Sequence, residues 1–162
     1  MADRPHLDLS DYLPYLINRV GAAFVGGYEQ DLAQHGVSIA MWRVLAGLST
    51  NGKQRQIDVA EITSIDVSTI SRLITRLVSL GLVTRTRSET NNREVSVELS
   101  PKGRGLVNRL IPLARQLESA ATAGISEADL AITRETLRRM YHTMAAEPET
   151  ADDRPQKLAN SG

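Results

Sequence analysis

Between Asp66 and Leu80 the chain reads DVSTISRLITRLVSL, and no other stretch so narrows what it can fold into. Ile70, Leu73, Ile74 and Leu77 recur at helical spacing and make one apolar stripe. At about 100° per residue, Ser68, Arg72, Thr75 and Ser79 fall on the opposite side, flanked by Thr69, Ser71 and Arg76. Such a helix buries its stripe and leaves a short, polar, cationic face outside. With no acid after Asp66, that face suits a polyanion whose base edges present hydrogen-bond donors and acceptors. It reads as a DNA recognition helix.

The flanking sequence agrees. A short helix over about Ile57–Thr63 packs through Ile57, Ala60 and Ile62, and the turn Ser64-Ile65 leads to Asp66, whose carboxylate caps the next helix. Gly81 stops that helix. Leu82–Arg87 then alternates, with Val83, Arg85 and Arg87 on one side, and Val95, Val97 and Leu99 alternate on a returning strand. A polar connection near Ser88–Asn92 joins the two strands into a two-stranded wing.

On either side lie long helical patterns. The first runs from about Leu9 to His35, with Ser10 and Asp11 as caps, His35-Gly36 as the stop, and Leu13, Leu16, Ile17, Val20 and Phe24 along one side. Ser38 opens a second helix to about Thr50, with Trp42, Val44, Leu45 and Leu48 inward, and Asn51-Gly52 breaks it. Ser100-Pro101 opens another to about Thr122, in which Leu106, Leu110, Leu113 and Leu117 recur and Pro112 is expected to introduce a kink. After Gly124, Ser126 and Asp129 form a capping box for a last helix to about Met144, carrying Leu130, Leu137, Met140 and Tyr141.

The predicted fold is mainly α with a small β-wing. It comprises an N-terminal dimerisation helix (1–35), a winged helix-turn-helix lobe (36–100), C-terminal dimerisation helices (101–146) and a disordered tail (147–162). The terminal apolar stripes exceed what so small a lobe can cover, which predicts a homodimer. The alternative is a monomeric helical bundle closing on itself.

Composition narrows the function. The formal net charge is zero, but five arginines face two acids between Ser64 and Arg93, so the positive charge is local. The chain has no cysteine, which excludes disulfides, thiolate metal sites and thiol redox sensing. His6, His35 and His142 are scattered, so no metal site is expected. No apolar run spans a bilayer and no signal segment opens the chain; the expectation is a cytoplasmic protein without membrane contact. No Gly-rich phosphate loop, nucleophile elbow or carboxylate pair beside a histidine is present, and Asp58 and Glu61 suit a helix start. Neither catalysis nor a cofactor is expected. A winged-helix module for protein contacts or non-specific DNA binding, with no small-molecule inducer, is the competing reading.

These elements in this order resemble the MarR family of dimeric winged helix-turn-helix transcription regulators. The likeness is carried by MWRVLAGL at Met41–Leu48, DVAEITSIDVSTISRLITRLVSLGLVTRTRS at Asp58–Ser88, and NREVSVELSPKG at Asn92–Gly103. It implies that Ser68, Thr69, Ser71 and Arg72 face the major groove, and that Arg93 is the wing arginine entering the minor groove. Thr75 and Arg76 extend the helical DNA face, and Arg85 and Arg87 suit phosphate. Asn91 departs from the family, which commonly carries an acid there that orients nearby arginines.

The resemblance further implies an operator of pseudopalindromic duplex DNA, repression, and release by a small molecule. Thiol oxidation being excluded, an organic ligand remains. Candidate ligand-binding residues are Tyr12, Tyr15, Asn18 and Arg19 on the first helix, with Trp42 and Arg43 on the second: rings to sandwich a flat ligand, guanidinium groups for an acid. Gln54–Val95 resembles family members that control aromatic-acid catabolism, including those answering to hydroxycinnamoyl-CoA thioesters. The expected effector is an aromatic acid or its CoA thioester, whose phosphates would draw on Arg19, Arg43, Arg109 and Arg115.

Overall fold

The computed structural model describes residues 6–87 and 95–145. The wing tip with Asn91 and Arg93, the side chain of Arg87 and the tail from Glu147 lie outside the described residues. The element order is α1 (Leu13–Ala33), α2 (Ile39–Asn51), β1 (Gln54–Arg55), α3 (Gln56–Thr63), α4 (Val67–Ser79), β2 (Val83–Arg87), β3 (Val95–Leu99), α5 (Pro101–Ala121) and α6 (Glu127–Ala145). The chain is mainly α with a small sheet, as predicted, and it divides after Ala121 into two compact units.

In the first unit, the α4 stripe sets the core. Ile70, Ile74 and Leu77 are fully buried, with Leu73 half-buried, against Leu32, Val44, Leu45, Val97, Val107 and Leu110. α4 closes at Gly81, whose φ of +69° lets the Gly81 and Leu82 N–H groups return to the carbonyls of Val78 and Leu77. α1 ends in the same way at Gly36, with φ +65°. Tyr28 anchors α1 to α5 by donating its hydroxyl to the Leu110 carbonyl at 2.7 Å. Burial, followed by the charge of Asp31, pushes the Tyr28 phenol up to about 12.

The structure corrects four sequence readings. The sheet is three-stranded, in the order β1-β3-β2, rather than a two-stranded hairpin. β1 holds only two residues, pairing Gln54 with Val97 and Arg55 with Ser96, too short to show alternation. α3 buries Val59, Ala60 and Thr63, while Ile57 and Ile62 stay 56% and 44% exposed. Thr63 turns inward because its hydroxyl is satisfied by the Val59 carbonyl at 2.6 Å, leaving the methyl to pack. α1 starts at Leu13, not near Leu9, and no side chain caps it. Asp8 instead binds the Ser10 N–H and hydroxyl in a turn upstream, which occupies the expected caps.

The start of α5 is held against the α4–β2 elbow. Ser100 donates its hydroxyl to the Gly81 carbonyl at 2.6 Å and accepts from the Gly103 N–H at 2.9 Å. A Cβ on Gly103 would lie 1.9 Å from the Leu82 carbonyl oxygen. α5 continues through Pro112 to Ala121. The second unit holds α6, opened by Ser126, whose hydroxyl accepts from the Asp129 N–H at 3.1 Å; none of its side chains is buried. Among the described residues, no helix is long and apolar enough to cross a membrane.

Gly103→Ala is expected to lower unfolding stability by about 1–3 kcal/mol through this collision. Gly105→Ala, with nothing within 4 Å, should be neutral or stabilising. Urea denaturation of the two variants reads the difference.

Candidate nucleic-acid interface

α4 faces solvent with the residues its periodicity set opposite the stripe. Ser68, Arg72, Thr75, Arg76 and Ser79 are exposed; Thr69 and Ser71 are half-buried at the edges. The Asp66 carboxylate orders the first turn, accepting from the Ser68 hydroxyl and from the Thr69 N–H at 2.8 Å. These bonds, Ser68 first, hold the carboxyl down at about 2, helped by the neighbouring Arg72 charge.

The outer hydroxyls are satisfied locally while keeping lone pairs free. Thr75 donates to the Ser71 carbonyl at 2.9 Å, and Ser79 to that of Arg76 at 2.7 Å. Arg72 reaches back to the Thr69 hydroxyl at 3.1 Å, which steadies its guanidinium along the helix. The Arg76 guanidinium has no hydrogen-bond or ion-pair partner among the described residues. On β2, Arg85 stands opposite Val97 in register and is exposed, whereas Val83, two residues earlier, is in the core. The α4 face and Arg85 belong to one compact unit. Such a surface can donate bidentate hydrogen bonds to base edges and pair with phosphates.

The ligand candidates fall into two groups. Arg19 lies with its guanidinium 5.7 Å from the Tyr15 ring centroid, and Tyr12 and Asn18 are exposed on the same end of α1. Trp42 packs edge-on against Tyr28, with ring centroids 5.6 Å apart. Nine residues separate Arg19 from Tyr28, a rise of roughly 13 Å along the helix. Trp42 and Arg43 line a groove between α2 and α3 with Gly47, Thr50 and Ile62, and none of the α1 candidates lines it. Arg43 is exposed and has no partner among the described residues.

Sequence reasoning missed the Arg55–Asp58 ion pair at 2.7 Å, which joins β1 to the start of α3 and lowers the Asp58 carboxyl. Its only signal is opposite charges three residues apart at a helix start. It also missed Lys102, whose ammonium caps α4 by donating to the Leu80 carbonyl at 2.8 Å from a distant helix.

Residues 37–95, which span α2 to the start of β3, match the MarR family. The chain carries a MarR-family domain. Its relatives include the HTH-type transcriptional repressor NicR of Pseudomonas putida, 22% identical over 138 residues that span 85% of this chain and 87% of that one. Among solved structures, Bordetella bronchiseptica BpsR, whose DNA binding is regulated by 6-hydroxynicotinic acid, superposes with a TM-score of 0.73. It is 28% identical, covering 80% of this chain and 98% of that one. CouR from Rhodococcus jostii RHA1, bound to p-coumaroyl-CoA, superposes with a TM-score of 0.75 at 25% identity, covering 83% and 95% of the two chains.

Asp66 carries a sign-definite pH prediction. Its carboxyl is depressed in the folded state, so the cap contributes above the ordinary aspartate range and is lost as pH falls through about 2. A carboxyl-detected NMR titration should therefore give Asp66 a midpoint near 2; a midpoint at the ordinary value of ~3.9 would mean that the cap does not hold in solution.

Proposed function

We propose that this MarR-family chain is a homodimeric repressor that reads a pseudopalindromic operator through α4 and is released by an aromatic acid or its CoA thioester. The observation that carries the DNA reading is the outer face of α4, where Arg72 and Arg76 stand exposed among small hydroxyl residues opposite a stripe packed into the core. In this reading Ser68, Thr69, Ser71, Arg72, Thr75 and Arg76 enter the major groove. Arg85 and Arg87 hold phosphates, and Arg93 enters the minor groove, where the narrow, electronegative channel of A·T-rich DNA attracts a guanidinium.

The dimer is supported by apolar side chains left in solvent at both ends of the chain. Leu13, Leu16, Ile17 and Val20 of α1 are exposed, as are Ile132, Leu137, Tyr141 and Met144 of α6. Two copies related by a twofold axis would read half-sites about 34–36 Å apart. For the effector, the half-buried Trp42 offers a ring and Arg43 an unpartnered guanidinium, the two groups that an aromatic acid requires. BpsR and CouR, relatives of the same fold, answer to or bind ligands of this chemistry.

Fluorescence anisotropy with duplex from the chain's own upstream region, titrated with aromatic acids and their CoA thioesters, tests the proposal. The expected result is binding ~10³-fold or more tighter than to random duplex, released by one compound of the panel. Specific binding that no compound releases removes the effector half; equal affinity for random duplex removes the repressor. Arg72→Ala should cost about 1–3 kcal/mol of operator affinity and relax preference at one position per half-site. Leu137→Glu should sediment as a monomer; a variant that remains dimeric would move the interface away from α6.

A further inference from the structure

Arg72 and Arg76 stand about one turn apart on the exposed face of α4, and their surroundings differ. The Arg72 guanidinium donates from Nη2 to the Thr69 hydroxyl oxygen at 3.1 Å. Three residues before Arg76 stands Leu73, which offers no side-chain acceptor, and the Arg76 guanidinium has no partner among the described residues. We propose that Thr69 is a positioning residue that holds Arg72 to read one guanine in each half-site, while Arg76 pairs with the phosphate backbone. This role depends on the DNA reading above and divides the labour within it.

The hold begins at the helix start. The Asp66 carboxylate accepts from the Ser68 hydroxyl and from the Thr69 N–H at 2.8 Å, which fixes Thr69 in the first turn. The Thr69 side chain is itself among the groups that hold the Asp66 carboxyl down, so carboxylate, hydroxyl and guanidinium form one chain of hydrogen bonds. Thr69 is half-buried and β-branched, which leaves its side chain few rotamers. Asp66 and Arg72 are thus joined through a hydroxyl, and the guanidinium gains a direction without a direct ion pair.

A guanidinium has five N–H donors, and its Nε–Nη2 and Nη1–Nη2 edges each present two in parallel. Thr69 accepts one Nη2 hydrogen, so whichever it takes, one two-donor edge stays whole. That edge matches O6 and N7 of guanine, the base that sets two acceptors side by side in the major groove. An arginine without a hold loses the rotamer freedom of a long side chain when it binds, and Thr69 removes part of that loss in advance. Arg76, with no hydrogen bond to direct it, suits phosphate oxygens, which ask for charge rather than for one geometry.

The test uses the full chain and the duplex that it enriches from a random pool. Thr69→Val keeps the β-branched shape and the N–H that Asp66 binds, and removes the hydroxyl. Thr69→Ala, better suited to a helix, is a second hydroxyl-free variant, and Thr69→Ser restores the hydroxyl. Each guanine of the duplex is replaced in turn by 7-deazaguanine, which pairs normally but lacks the N7 acceptor. One replacement per half-site should weaken binding of the parent and of Thr69→Ser roughly fivefold, and that of Thr69→Val and Thr69→Ala by less than about twofold. Arg72→Ala should lose the same sensitivity. Arg76→Ala should keep it and lower the slope of log affinity against log salt by about 0.9. The proposal is overturned if the hydroxyl-free variants remain as sensitive as the parent, if Thr69→Ser does not restore sensitivity, or if Arg76→Ala abolishes it. A parent chain that enriches no duplex fails the DNA reading instead. Nitrogen relaxation at Arg72 Nε in the free chain then judges the hold: greater order in the parent than in Thr69→Val is expected, and equal order in both overturns it.

Discussion

The approach of α5 to the α4–β2 elbow fixes what the rest of the first unit can do. Gly103 sits where any Cβ would strike the Leu82 carbonyl, Ser100 bridges Gly81 to Gly103, and Lys102 caps α4 at Leu80. Three consecutive backbone positions between α4 and β2, Leu80, Gly81 and Leu82, are thereby tied to the first turn of a 21-residue helix. The orientation of α4 is set by this clasp at one end and by the Asp66 cap at the other. Between them, Ile70, Ile74 and Leu77 seal the helix onto the core. Any movement of α5 at this point must carry α4 and the sheet with it.

The exposed face of α4 shows how a folded protein can hold polar groups ready without an unmet desolvation cost. Ser68, Thr75 and Ser79 donate within or beside the helix, so their lone pairs remain for a partner. Arg72 is oriented by Thr69 rather than by a carboxylate, so no strong ion pair would have to break for its guanidinium to meet an anion. The long cationic side chains lose conformational freedom on binding, and release of counterions from the phosphates offsets that loss. A full switch from a bound to a released population requires an effector to favour one state by about 5.5 kcal/mol.

Much of this was legible in the residues because the signals are local and periodic. The α4 stripe, the Asp66 cap, the Gly81 stop and the Ser38 cap on Met41 each follow from residues within seven positions of one another. What escaped is non-local. β1 is a two-residue strand defined only by its partner β3, and Lys102 caps α4 at a carbonyl 22 residues earlier in the chain. In α3, apolarity pointed to Ile57 and Ile62, but the contact face is set by neighbouring helices and admits Thr63, whose hydroxyl is met within its own helix. The ligand candidates were chosen by residue type, and type says nothing of the distance along α1 between Arg19 and Tyr28.

The central claim is that this chain reads duplex DNA through α4 as a twofold dimer. Selection from a random duplex pool by the full-length protein at physiological salt, followed by sequencing, tests it most directly. The account predicts enriched sites with two inverted half-sites whose centres lie about 10 base pairs apart, and loss of preference at one position in each half when Arg72 is replaced by alanine. A pool that emerges without a symmetric motif, or a motif indifferent to Arg72, would contradict it.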